Sequence, residues 1–204
     1  MKSKIALVAL CLALCGCANE RLRSDYTGPD AGTLVFSAES IGHSAAFDFW
    51  YKRVGQPAHP SVVGGDGQIE NNPGSILNPP LDFTGDESGW VTMQRLKPGE
   101  YEVYTYRVYA PGGYQALAVY EPDKDFSYRF TIVAGQTTYI GSFVALLSGK
   151  GPVTSVLNRF ERDIVIAHQK HPDLPANITS TVAAAPEKGI AVSVPSESSV
   201  TVPN

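Results

Sequence analysis

The residues able to do chemistry are few and widely spread. The histidines are His43, His59, His168 and His171, and the cysteines are Cys11, Cys15 and Cys17. His168 and His171 stand three apart, which on a helix makes them neighbours. A zinc site would need a third ligand from elsewhere, no cysteine follows position 17, and Lys170 lies between the two, so no metal is expected there. A serine nucleophile on a G-x-S-x-G elbow is missing. Gly64-Gly65-Asp66-Gly67 lacks the lysine and following helix of a phosphate loop. The acids and amides Asp66, Glu70, Asn71, Asn72, Asp82, Asp86 and Glu87 do not keep the spacing of a calcium loop and read as solvated turn residues. Glu100 and Glu102 share one strand face instead of opposing each other across a cleft. Neither catalysis nor a cofactor is expected from these patterns.

The reactive group that does have a context is the thiol of Cys17. Lys2 and Lys4 make a basic start, Ile5 to Leu14 an apolar run, and Leu14-Cys15-Gly16-Cys17 a small-residue exit. The run falls short of the ~20 apolar residues of a spanning helix. This stretch resembles the export signal and lipobox of bacterial lipoproteins, with Cys15 where that family usually has Ala or Ser. The resemblance implies cleavage between Gly16 and Cys17 and transfer of diacylglycerol to the Cys17 thiol. Two or more acyl chains hold a protein stably on a bilayer. In the Gram-negative sorting pattern an Asp after the lipidated cysteine favours the inner membrane; Ala18 stands here, which implies a lipid-anchored protein of the outer membrane facing the periplasm.

Removal of residues 1–16 takes away two lysines and no acid, so the formal charge goes from −4 to −6. A mildly acidic chain lacks the basic patch of a nucleic-acid binder. Two cysteines leave with the signal and the third is acylated, so the folded part has no disulfide and depends on burial. Residues 17–31 read as a lipidated tether, which at ~3.6 Å per residue reaches about 50 Å. Residues 32–175 read as one domain and 176–204, poor in aromatics, as a disordered tail.

Within the domain the apolar period is that of strands. Thr33 to Ala38 and Ala46 to Val54 suggest a hairpin, with Phe47, Phe49 and Tyr51 on the inner face of the second strand. Gly55 to Gly89 is rich in Gly, Pro and Asn and reads as a long loop, with short strands around Ser61–Val63 and Leu81–Thr84. Trp90 to Met93 and Glu100 to Tyr109 are strands joined by a Lys97-Pro98-Gly99 turn. Tyr101 and Val103 share a parity that Tyr106 and Val108 do not, which predicts a β-bulge near Tyr104-Thr105. Pro111 to Asp125 is a second long connection. Phe126 to Val133 and Thr137 to Leu147, linked through Ala134-Gly135-Gln136, suggest a second hairpin. After a Gly/Pro break at Ser148 to Thr154, Phe160, Ile164, Ala167 and His171 take helical spacing and predict one short helix over Arg159 to His171.

The phrase around Leu96, Pro98, Gly99, Tyr101 and Val103 resembles the prealbumin-like or carboxypeptidase-regulatory-like fold. It implies an antiparallel β-sandwich of about seven strands. The sequence therefore leads to a mainly β, non-enzymatic lipoprotein that acts as a binding or structural module of the cell envelope. The membrane is a partner through the lipid, and an envelope protein or glycan is a further one. Trp90, Tyr114 and Tyr120, in or beside the two long loops, are the candidate contact residues. The competing expectations are a periplasmic hydrolase with a metal near His168 and His171, and a carbohydrate-binding sandwich using Trp50, Trp90 or Tyr114.

Overall fold

The computed structural model describes residues 25–42, 45–57, 67–72, 79–111, 117–122, 127–148, 151–182 and 190–192. Cys17 and the rest of the lipobox, His43, His59, Ser61–Val63 and Tyr114 lie outside them. The described chain is mainly β, with eleven strands in two sheets and one helix.

The first sheet holds β1 (Gly32–Ile41), β4 (Glu87–Leu96), β8 (Thr137–Ser148), β9 (Gly151–Leu157), β10 (Ile178–Ser180) and β11 (Ile190–Val192). Its order is β11-β9-β8-β1-β4, with β10 beside the first half of β8; β1 and β10 both run parallel to β8, so this sheet is mixed and not antiparallel throughout as expected. The second holds β2 (Ala46–Arg53), β3 (Gly67–Asn71), β5 (Gly99–Pro111), β6 (Leu117–Tyr120) and β7 (Tyr128–Ile132). Its order is β3-β2-β5, and β6 and β7 pair the two ends of β5 on its other side. The helix α1 spans Phe160–Lys170 and contacts β1 and β4.

Apolar side chains of the two sheets meet face to face. Phe49 of β2 lies 5.1 Å from Phe143 of β8, ring centre to ring centre, and also contacts Phe47 and Tyr106. β1 is buried on both sides. Leu34, Phe36 and Ala38 take one parity, while Val35, Ser37 and Glu39 take the other, which α1 covers. A strand sealed on both faces loses its alternation and reads as a nearly continuous apolar run.

The two expected hairpins are not hairpins. β1 and β2 belong to different sheets, as do β7 and β8, so both connections turn corners over the core. Each strand of such a pair carries one apolar face, and that face is buried equally well by lateral pairing or by stacking; alternation alone does not distinguish them. The β4–β5 turn at Lys97-Pro98-Gly99 is a third corner, where Gly99 has φ +150°. Besides six of the strands read from the sequence, β3, β6, β9, β10 and β11 are present, while the short strand expected at Leu81–Thr84 is only an isolated bridge from Phe83 to Gly89. β9 occupies part of the expected Gly/Pro break. β10 and β11 lie in the stretch read as a disordered tail, and Val182 beyond β10 is buried.

The expected bulge is there. Trp50 faces Thr105 and Tyr51 faces Val103, so Tyr104 is the extra residue. It lets Tyr101 and Val103, then Tyr106 and Val108, all enter the core. A second irregularity sits in β8, where Val35 faces Tyr139 but Ser37 faces Ser142. Gly141 accommodates it with φ +104°, and Val156 and Val182 fill the space its Cβ would need. Gly135, in the β7–β8 turn, also has positive φ (+68°) but open space around it. Left-handed backbone costs an L-residue roughly 1–2 kcal/mol. Gly135→Ala should therefore cost about 1 kcal/mol, and Gly141→Ala about 2 kcal/mol or more because a steric clash is added to the same strain. Urea denaturation of the two variants checks the order.

A charge cluster beneath the helix as candidate functional site

The sequence of α1 puts Arg162 and Asp163 on its first turns, and both point at the sheet. Asp163 is fully buried. Its Oδ2 accepts hydrogen bonds from Ser37 Oγ (2.6 Å) and Tyr139 Oη (2.8 Å), and its Oδ1 accepts one from Arg162 Nε (2.8 Å). The Tyr139 hydroxyl in turn accepts from the Arg159 backbone N–H at 3.2 Å. Burial, then the neighbouring Asp163, push the Tyr139 phenol well above its ordinary range. One carboxylate thus ties the start of the helix to β1 and β8.

Arg162 ties it to β4. Its Nη1 donates to Glu87 Oε2 at 2.8 Å and lies 2.8 Å from Glu39 Oε2. Its guanidinium carbon sits 3.8 Å from the ring centre of Phe83, a cation–π contact. Arg159 adds a bond to Glu87 and stands 3.6 Å from Glu39. Phe83 approaches closely because β4 has Gly89 at that point; a Cβ there would strike the Ala38 carbonyl and crowd the Phe83 ring.

Glu39 is the odd member. It is fully buried and paired by charge to both arginines, and its Oε2 shares Arg162 Nη1, at 2.8 Å, with Glu87. Burial raises its pKa; Arg162 works against that rise and Glu87 adds to it. Three carboxylates share two guanidiniums. The cluster acts as a clamp on α1. Ser37, Glu39 and Asp163, with no exposed surface, are sealed from any substrate.

Open space lies to the side of the clamp. A cleft of about 250 Å³ along β4 is lined by Glu70, Trp90, Met93, Lys170 and His171. A second, of about 330 Å³, shares Met93 and His171 with it and includes Asp25, Arg95 and Leu174. Lys170 is engaged, with Nζ 2.6 Å from Asp82 and 2.8 Å from the Val91 carbonyl.

Of the expected contact residues, Trp90 lines the first cleft and donates its Nε1–H to the Pro79 carbonyl at 3.0 Å. Tyr120 sits on β6 in the other sheet, packed against the core. The structure does not gather these two, and Tyr114 is outside the described residues. Trp50 is only 7% exposed, with Arg107 over its ring, so it offers no flat face to a sugar. Among the described residues no group of three His, Cys, Asp or Glu side chains, His168 and His171 included, is placed to hold a metal.

Sequence reasoning missed the clamp altogether. The signals were present as misfits: Glu39 inside the apolar run of β1, and Asp163 on the helix face that carries Phe160, Ile164 and Ala167.

No protein-family model and no curated protein matches the chain. Among solved structures, a leucine-rich repeat protein from Bacteroides thetaiotaomicron shows local likeness, with 13% identity and a TM-score of 0.30. The match covers 56% of this chain and 14% of that one. A likeness at this level carries no argument about fold or activity.

Two variants test the clamp. Arg162→Met keeps the bulk but leaves the carboxylates unpaired, and should destabilise the domain by about 3 kcal/mol. Glu39 gains protons on folding, so its contribution is complete below the unfolded pKa and is lost as pH rises through the raised folded value. Glu39→Gln removes that loss: melting temperature followed from pH 5 to 9 should fall less toward the alkaline side than in the parent chain.

Proposed function

We propose that the chain is a lipoprotein of the outer membrane, anchored through Cys17 and facing the periplasm. Its folded part serves as a non-catalytic binding or structural module. The observation that carries this reading is the basic start, apolar run and Leu14-Cys15-Gly16-Cys17 exit. Two packed sheets without a cysteine among the described residues suit a domain that folds after export by burial alone. We assign the finer fold to the prealbumin-like β-sandwich, on the Leu96-x-Pro98-Gly99-x-Tyr101-x-Val103 phrase at a corner between sheets. The sealed state of the clamp and the engaged state of Lys170 favour binding or structure over turnover.

The test is chemical. The mature chain should begin at Cys17 with a mass raised by diacylglycerol and a further acyl group, and it should take up a fatty-acid analogue in cells. Cys17→Ser should abolish both. A mature chain with an unmodified first residue, or one starting elsewhere, overturns the reading. Crosslinking in intact envelopes followed by mass spectrometry should return an envelope protein or glycan partner with Cys17 present and lose it with Cys17→Ser.

A further inference from the structure

Part of the stretch expected to be free tether is folded onto the domain. The Tyr26 backbone N–H donates to the Arg95 carbonyl at 2.8 Å, and the Arg95 N–H donates to Asp25 Oδ1 at 2.9 Å. The Tyr26 ring covers Gly28, where a Cβ would collide with it, and its hydroxyl donates to Asp30 Oδ1 at 2.8 Å. The Ala31 N–H closes the turn onto the Gly28 carbonyl at 3.2 Å. Residues 25–31 thus form a clasp on the outer edge of β4, away from the rest of its sheet.

The same edge is also engaged at Gly89 and Val91. Gly89 pairs with Asp82 and Phe83, while Val91 donates its N–H to Asp82 Oδ2 and accepts Lys170 on its carbonyl. The clasp extends this covering to Arg95, so chain leaving Asp25 toward the N-terminus departs from the β4 edge.

We infer that the β4 edge is the membrane-facing edge of the domain, held close to the phospholipid headgroups by a spacer that begins at Asp25. The inference rests on lipidation at Cys17. Seven residues, Ala18 to Ser24, separate Cys17 from the clasp, and seven residues reach no further than about 25 Å in any conformation. A domain of this size is about 40 Å across. The spacer is shorter than the body it carries, so the point of attachment stays against the bilayer and the β9–β11 side of the sheet is turned away.

The experiment uses the lipidated chain in phosphatidylethanolamine–phosphatidylglycerol vesicles carrying a headgroup acceptor dye. Lipidated Cys17 is blocked, so an introduced cysteine is the single reactive thiol. Donors are placed at Lys97→Cys, just beyond the clasp, or at Ser155→Cys on β9. Energy transfer should be at least twofold higher from position 97. In Asp25→Ala/Tyr26→Pro, which removes the clasp's acceptor and donor, the contrast should shrink. Hydrogen exchange on the Cys17→Ser chain checks the clasp without any lipid: the Arg95 amide should lose protection at least tenfold in the double variant while core amides keep theirs. Equal or reversed transfer from the two positions on a chain shown by mass to be lipidated overturns the orientation alone. An Arg95 amide unprotected in the parent chain overturns the clasp. A mature chain without lipid removes the orientation together with the function proposed above.

Discussion

The structure depends on one guanidinium. Arg162 lies between Glu39, Glu87 and Asp163 with Phe83 beneath it, and through these contacts it joins α1 to β1 and β4 and to the loop before β4. Replacing such a cluster by apolar residues of equal volume is often neutral or stabilising, whereas removing one member is costly. The clamp is therefore a statement about which arrangement forms more than about how stable it is. It fixes where the helix lies on a sheet face that also carries Ser37 and Ser142, and where the Tyr139 ring meets Phe160 edge-on at 5.5 Å.

The two layers follow a different logic. The packing between the sheets is aromatic: Phe49 and Tyr128 of the second sheet meet Phe143 of the first, with Phe47 and Tyr106 beside Phe49, while Tyr51, Tyr101 and Phe130 form a further set within the second sheet. Large rings supply the burial that a disulfide-free domain needs. Under the helix, polar and directional contacts are added to the apolar packing of Phe160, Ile164 and Ala167. The same strand, β1, serves both, presenting Phe36 to one side and Ser37 and Glu39 to the other. The first sheet is in this way the middle layer of three.

Much of this was legible in the residues. Period-two alternation located six strands, and the parity break between Val103 and Tyr106 located the bulge at Tyr104. Helical spacing from Phe160 located α1 despite its Ile164-Val165-Ile166 run. Pairing was not legible, because a short Gly-containing turn serves a hairpin and a corner alike. β3 was hidden among Gly and Asn residues, and β9 behind Gly151-Pro152. The clamp was hidden for another reason. A lone acid in a strand and a lone acid on a helix each look solvated until the fold brings them to the same arginine. The contact residues Trp90 and Tyr120 were chosen as loop aromatics, but both lie on strands, in separate sheets.

The pairing of β1 with β8 has a consequence for how the chain acquires its shape. Thr33 finds Thr137 across more than a hundred intervening residues, and it does so in parallel register. Contacts so distant along a polymer are slow to form, because closing the loop precedes any gain from it. The first strand of the body stays without its second neighbour until most of the protein has been synthesised. A polypeptide built this way cannot close its middle layer from its first half alone, and the sheet is completed only once the segment from Thr137 onward is in place.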